Sequence, residues 1–196
     1  IARLLQPQPP PALELGGRRW AFDEGPFMLG IVNVTPDSFS DGGRHATTDT
    51  AIAHALQLVE EGAHLLDVGG ESTRPGAAAV SPDEECARVL PVIEALTRLA
   101  PQTPISIDTS KAEVARRALA AGATLVNDVT ALSDPLMGRV VAEAKAAVCL
   151  MHMQGTPRTM QVKPEYGDVV HEVAESLSEA IDRAVAVGID RSRVLI

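Results

Sequence analysis

The sequence has no long apolar run, only two cysteines and fewer basic than acidic residues. No apolar stretch approaches the ~18 residues that a membrane span needs, and no basic segment followed by an apolar core marks a signal peptide. The net charge of −9, from 17 Lys and Arg against 26 Asp and Glu, disfavours nucleic acid or an anionic membrane as a partner. Cys86 falls in a helical pattern and Cys149 in a strand pattern, which indicates buried free thiols. This composition is typical of a cytoplasmic enzyme.

Several common catalytic motifs are also absent. No G-x-G-x-x-G follows the first strand pattern, which argues against a dinucleotide-binding domain. The sequence contains no H-E-x-x-H, no G-x-S-x-G, no Walker A loop and no clustered cysteine and histidine set. Any bound metal is therefore expected to be a hard cation held by few protein oxygens and by substrate phosphates, as Mg²⁺ prefers.

The chain repeats one layout, in which a short apolar run ends in polar residues. Continuous apolar runs of this length are typical of buried parallel strands. The predicted strands are 28–32, 63–68, 104–107, 124–126, 147–150 and 193–196. The helical patterns between them cover 51–62, 81–99, 110–122, 135–145 and 168–188, with Ser81 and Ser110 as predicted N-caps. This alternation predicts βαβ units and a parallel sheet.

Polar residues gather at the carboxyl ends of the predicted strands, which favours a TIM (β/α)₈ barrel, since a barrel places all of these ends on one rim. A complete barrel typically needs about 250 residues, whereas this sequence has 196 and shows five complete βα units and a sixth strand. We therefore expect an N-terminal part of a longer protein. Residues 1–26 are predicted to form a proline-rich lead-in and a hairpin that covers the barrel bottom. Residues 27–196 are predicted to form a single partial barrel domain with strands one to six.

Three strand-end residues suit recognition of a flat, nitrogen-rich ring. Asp67 and Asp108 can each accept two hydrogen bonds from adjacent N–H groups, and Asn127 can both donate and accept. Each has an equally weighted structural alternative, in which the side chain only caps a helix or ties down a loop. His152 is as readily explained as a core histidine as a catalyst, whereas Met151 could pack on a flat ring.

Five segments, in this order, resemble dihydropteroate synthase, the enzyme of folate biosynthesis that sulfonamide drugs target. They are LGIVNVTPDSFSDGG at 29–43, DVGGESTRPG at 67–76, and the segments 105–111, 126–128 and 149–155. The resemblance runs from about Phe27 to the last residue. It implies a pterin-binding TIM barrel and a transferase reaction. That reaction joins 4-aminobenzoate to (7,8-dihydropterin-6-yl)methyl diphosphate, giving dihydropteroate and diphosphate.

The resemblance also implies roles for single residues. Asn33 corresponds to the residue that contacts Mg²⁺, the implied cofactor. Thr73 and Arg74 would bind the diphosphate end of the substrate, and Arg74 and Asp108 would be catalytic. The remaining substrate-binding positions are the pterin-edge residues Asp108 and Asn127, Met151 in the pterin slot, and Phe39 and Pro75 on the loops that shape the aminobenzoate pocket.

The sequence departs from that family by lacking its later elements, which are an Asp-Pro-Gly segment, a lysine and an Arg-x-His. We therefore expect the native protein to be an intact synthase, homodimeric when complete, and the isolated 196-residue chain to be inactive. Two alternatives stay open. One is a truncated barrel that binds pterin without catalysis. The other is a barrel related to methyltetrahydrofolate–corrinoid methyltransferases, which would lack the TPDSFS and ESTRPG loops.

Overall fold

A computed structural model describes residues 12–23, 25–35, 44–72, 79–157 and 159–196. A short antiparallel hairpin precedes a six-stranded parallel sheet whose strands follow one another in chain order. The hairpin consists of β1 (Leu13–Leu15) and β2 (Arg18–Trp20). The sheet consists of β3 (Leu29–Asn33), β4 (Leu65–Gly69), β5 (Ile105–Asp108), β6 (Leu125–Asp128), β7 (Ala147–Leu150) and β8 (Val194–Leu195).

Among the described residues, five α-helices connect the strands. They are α1 (Arg44–Glu60), α2 (Pro82–Leu99), α3 (Ala112–Ala120), α4 (Met137–Ala144) and α5 (Val169–Ala186), and a single 3₁₀ turn, Arg191–Arg193, leads into β8. No helix in the described part of the chain is both long and apolar enough to cross a membrane. Cys86 in α2 and Cys149 in β7 are free thiols, as predicted, but only Cys86 is buried, whereas Cys149 is partly exposed.

All five helices pack on one face of the sheet. Alternate strand residues, such as Val32, Leu66, Ile107 and Val126, join residues from every helix in a single apolar core. A doubly wound sheet would carry helices on both faces, so this one-sided arrangement is that of a barrel wall. The opposite face, which corresponds to the barrel interior, carries the other half of each strand's residues because successive side chains alternate.

The hairpin covers the amino-terminal ends of the strands. Leu13, Leu15 and Trp20 form a second apolar cluster with Leu125 and Ala147, the first residues of β6 and β7. Trp20 Nε1 also donates a hydrogen bond to the Leu15 carbonyl oxygen at 3.1 Å, which closes the hairpin on itself. The predicted hairpin at the barrel bottom is confirmed, and it leaves the carboxyl ends of the strands for a ligand.

Two details of the helices differ from the sequence predictions. Helix α1 begins at Arg44 rather than at residue 51. The prediction placed its start too late because the first turns of the helix carry no apolar periodicity. Ser110 is not the N-cap of α3, since Lys111 occupies that position and makes no side-chain capping bond. Asp134 Oδ2 accepts a hydrogen bond from the Ala112 backbone N–H at 2.9 Å instead, so the cap comes from a distant loop. The Ser81 cap of α2 is confirmed.

Candidate active site at the carboxyl ends of the strands

Three of the predicted site residues, Asn33, Asp108 and Asn127, fall on one register row of the sheet. Asn33 pairs with Gly69, Gly69 with Asp108, and Asp108 with Asn127. The same row continues to Cys149 on β7. These residues alternate with Ile107 and Val126 of the helix-facing core, so their side chains face the barrel interior. The row therefore assembles an amide, a carboxylate and a second amide on one surface.

Asp67 lies one step below this row, on the same interior face. Asn127 Nδ2 donates a hydrogen bond to Asp67 Oδ2 at 2.9 Å, across the intervening strand β5. Burial raises the pKa of Asp67, an effect that the nearby Ser106 and Asn127 side chains offset in part. The carboxylate thus forms the floor of the site and orients the amide above it.

Asp108 has the most strongly shifted acid–base behaviour at the site. Burial, followed by the negative charges of Asp67, Glu85, Asp128 and Glu71, raises its pKa to about 7. A carboxylate with this pKa changes charge near neutral pH, and perturbed groups of this kind concentrate at functional sites. A ligand that presents paired N–H groups or positive charge would favour the ionised form.

Two buried oxygen atoms beneath Asp108 have no hydrogen-bond partner within the described chain. They are Asp67 Oδ1 and Ser106 Oγ. The Ser106 hydroxyl is close enough to lower the pKa of Asp67, but the two groups do not meet with hydrogen-bond geometry. Unpaired buried polar atoms are rare and indicate a position that water or a ligand satisfies. Ser106 is not among the residues predicted from the sequence, although its position two residues before Asp108 places both on one strand face.

Residues 29–196 match the sequence model of the family described as pterin binding enzyme. The chain belongs to the pterin-binding enzyme family. It is 49% identical over 171 residues to dihydropteroate synthase of Escherichia coli strain K12, in an alignment that covers 87% of this chain and 60% of that protein. The chain therefore spans about 60% of the length of this relative.

Solved structures of this family show the same fold. The dihydropteroate synthase of Xanthomonas albilineans with 4-aminobenzoic acid is 52% identical, with a TM-score of 0.85 over 94% of this chain and 64% of that one. The Yersinia pestis dihydropteroate synthase in complex with a sulfonamide drug is 45% identical, with a TM-score of 0.85 over 93% and 66%. The predicted resemblance and the TIM-barrel fold, here represented by six strands, are confirmed.

The structure describes some of the predicted site residues and leaves others outside the described ranges. Asn33, Asp108 and Asn127 share the register row described above, and Met151 follows β7 directly and is half-buried. Asn33 and Asp108 end their strands, one residue later than the sequence predicted. Four predicted positions lie outside the described residues: Phe39, Thr73, Arg74 and Pro75.

Two further polar residues near the site have structural partners. The His152 Nδ1 atom lies 2.9 Å from Ser176 Oγ, and Nε2 lies 3.0 Å from Tyr166 Oη. His152 therefore fastens the loop after β7 to α5, which favours the structural alternative over a catalytic one. Asp128 is fully buried and accepts hydrogen bonds from Thr130 and from the Leu132 backbone N–H, so it ties down the loop after β6.

Asn33 is the predicted metal contact that lies among the described residues. No group of three or more His, Cys, Asp or Glu side chains that could hold an ion occurs in the ranges given above. Asn33 offers one neutral oxygen from an exposed position at the end of β3. Hard oxygen ligation by one or two protein groups, completed by phosphates and water, is the arrangement that Mg²⁺ prefers. The role of Asn33 stays a prediction.

Proposed function

We propose that the protein containing these residues is a dihydropteroate synthase, which condenses 4-aminobenzoate with (7,8-dihydropterin-6-yl)methyl diphosphate. The observation that carries the proposal is the interior placement of Asp108 beside Asn127, with Asp67 hydrogen-bonded beneath them. The similar Xanthomonas albilineans synthase holds 4-aminobenzoic acid, and the Yersinia pestis synthase holds a sulfonamide drug. Both ligands fit an arylamine substrate.

The three polar side chains account for recognition of the pterin. Its aminopyrimidinone edge presents neighbouring N–H groups, which one carboxylate can accept together. Asn127 donates to Asp67 through Nδ2, so its side-chain oxygen can accept from the ring. Asp108 and Asn127 thus read the pterin edge, and Met151 at the end of β7 supplies a flat apolar contact.

The proposed reaction breaks the bond between the pterin methylene carbon and the diphosphate oxygen. The electron pair of that bond leaves with diphosphate, and the positive charge that develops is delocalised over the pterin ring. The 4-aminobenzoate nitrogen then attacks the methylene carbon and releases a proton to solvent. Asp108 in its ionised form stabilises the positive ring at the transition state, so the protein acts by positioning and electrostatics.

The predicted residues of the diphosphate and aminobenzoate subsites keep their proposed roles. Asn33 would hold Mg²⁺, which when bound supplies positive charge beside the leaving diphosphate. Thr73 and Arg74 would bind the diphosphate, and Phe39 and Pro75 would contact 4-aminobenzoate. We also propose a cytoplasmic homodimer that binds small molecules rather than nucleic acid or membrane.

The first test measures the intact mass of the protein as isolated, followed by formation of dihydropteroate. A mass above the 20.6 kDa of this chain would show that the isolated protein contains residues beyond these 196, and we expect that protein to form dihydropteroate. We expect the 196-residue chain alone to be inactive, since strands β3 and β8 each lack one sheet neighbour among the described residues.

A matched variant makes the assay specific for the proposed site. Asp108→Asn is expected to lower kcat/KM by about 100-fold or more, because it removes the charge that faces the developing cation. Unchanged turnover in a folded Asp108→Asn protein would contradict the assigned role. Pterin binding without turnover by the complete protein would favour the non-catalytic alternative, and methyl transfer from methyltetrahydrofolate would favour the methyltransferase.

A further inference from the structure

Glu71, Glu85 and Lys111 form an ion cluster that the proposed chemistry does not use. Lys111 Nζ donates to Glu71 Oε2 at 2.5 Å and also to Glu85 Oε2. Glu71 follows β4, Glu85 lies in the first turn of α2, and Lys111 immediately precedes α3. One ammonium group therefore joins three separate parts of the barrel wall beside the proposed site.

The cluster is buried at its centre. The Glu85 side chain is only 1% exposed, against 23% for Lys111 and 25% for Glu71. A Cβ atom at Gly70 would lie 3.1 Å from Glu85 Cγ and 2.8 Å from Val89 Cγ1, so this glycine leaves space for the carboxylate. Because buried ion pairs lose in desolvation much of what they gain in attraction, stability alone does not explain this arrangement.

Both oxygens of Glu71 hold the chain in place. While Oε2 contacts Lys111, Oε1 accepts a hydrogen bond from the Val80 backbone N–H at 2.9 Å. Arg88 adds a hydrogen bond from Nη1 to the Gly70 carbonyl oxygen at 2.7 Å. The segment that leaves β4 is thus fixed to the segment that enters α2.

On its other side the cluster contacts the short turn that joins Asp108, at the end of β5, to the start of α3. Lys111 lies three residues after Asp108, and its backbone N–H donates to Thr109 Oγ1 at 3.2 Å. The Thr109 backbone N–H donates to the Asn127 carbonyl oxygen at 3.1 Å. Lys111 is therefore connected through one short turn to both pterin-edge residues of the proposed site.

We propose that Lys111 is a positioning residue for the condensation, because by holding Glu71 and Glu85 it fixes the carboxyl end of β4 against that of β5. The distance between the Asp67 and Asp108 side chains at the proposed pterin site depends on that contact. The negative charges of Glu71 and Glu85, which help to raise the pKa of Asp108, place the cluster within electrostatic reach of the site. This inference rests on the proposed synthase function.

The decisive variant replaces both partners of the buried pair in the complete protein. Lys111→Met alone leaves the buried Glu85 carboxylate without its positive partner and is expected to destabilise the fold. Lys111→Met with Glu85→Gln removes one positive and one negative charge, which keeps the net charge and restores cooperative unfolding. We expect this double variant to raise the KM for the pterin diphosphate about tenfold, with a smaller change in kcat. Lys111→Arg should restore a KM near that of the unmodified protein.

Two further variants separate positioning from stability. Glu71→Gln keeps an oxygen for the Val80 N–H but loses the ion pair, and it should raise the same KM even if the double variant does not fold. Glu143→Gln removes a matched but exposed pair with Arg139 and should change nothing. Wild-type KM and kcat in the folded double variant, or in Glu71→Gln if the double variant is unfolded, would overturn the proposal.

The experiments distinguish a failure of the synthase assignment from a failure of the proposed role of Lys111. An unmodified complete protein that forms no dihydropteroate would refute the proposed function but leave the contact testable. In that case titration calorimetry with pterin alone compares the unmodified and Glu71→Gln proteins. Equal pterin affinities would then overturn the role of the cluster, and an affinity about tenfold weaker in the variant would support it.

Discussion

Asn127 donates a hydrogen bond to Asp67 across strand β5, although the two residues are 60 positions apart in the chain. The bond joins two layers of the barrel interior, since Asn127 lies on the register row of Asp108 and Asp67 lies one step below. Because Asn127 Nδ2 donates to Asp67, the side-chain oxygen of Asn127 is the atom that can accept a hydrogen bond from a ligand. A local turn could not have produced this contact.

The Asn127–Asp67 bond predicts a stability effect. Asn127→Leu leaves the buried Asp67 carboxylate without its amide donor, and we expect a loss of about 1–3 kcal/mol in the free energy of unfolding. Urea denaturation at neutral pH measures the change. Asp67→Asn in the same background should recover part of the loss, because a neutral amide costs less to bury. An unchanged midpoint in Asn127→Leu would show that the bond contributes nothing to the fold.

The raised pKa of Asp108 predicts a characteristic pH dependence. The folded protein holds this proton up to a pKa of about 7, whereas the unfolded chain releases it near the ordinary value of 3.8. Between these values the folded state binds more protons, so the stability contributed by this group is lost as the pH rises. Asp108→Asn should therefore raise the free energy of unfolding at pH 8 by about 2–4 kcal/mol, with little gain at pH 4.

Asp190 serves as a control of opposite sign for that titration. Hydrogen bonds from Ser192 lower the pKa of its exposed carboxyl group, so its contribution is present above the ordinary pKa and lost as the pH falls. Asp190→Asn should therefore destabilise the protein at pH 7 and lose this effect in acid. A benefit of Asp108→Asn that did not grow with pH would contradict the perturbed pKa.

The two predicted serine caps make a matched pair. Ser81 Oγ accepts the Glu84 backbone N–H at 3.2 Å, so Ser81→Ala should cost about 1 kcal/mol of stability. Ser110 lies before the N-cap of α3, which Asp134 rather than a local side chain caps, and Ser110→Ala should be nearly neutral. Thermal unfolding of both variants measures the difference. Equal losses would mean that Ser110 supports α3 after all.

Gly69, the last residue of β4, and Gly70, which follows it, are expected to respond differently to an added methyl group. A Cβ at Gly70 would lie 2.8 Å from Val89 Cγ1, so Gly70→Ala should destabilise by about 1–3 kcal/mol through overpacking. A Cβ at Gly69 meets Asp108 at an ordinary 3.5 Å, and Gly69→Ala should fold normally. Chemical denaturation of the two variants compares them. A stable Gly70→Ala protein would show that Val89 and Glu85 can move aside.

The sequence by itself determined the order of the elements and roughly where most of them begin and end. Apolar runs of four to five residues identified strands such as β7 without error, and the serine, proline and acidic residues at 81–84 identified the start of α2. The polar residues at 67, 108 and 127 stood out because they follow or end those runs. These features are local, because strands that are buried on both faces give short continuous apolar runs and helix starts carry capping residues.

Only the tertiary structure decided which of those residues meet. Register placed Asn33, Asp108 and Asn127 on one row, and the pairing of β4 and β6 with β5 brought Asn127 within hydrogen-bond distance of Asp67. The Lys111 contacts with Glu71 and Glu85 span 40 and 26 positions, and the Asp134 cap of α3 spans 22. No periodicity encodes such pairs, because each depends on strand pairing and helix packing that are settled by the whole core.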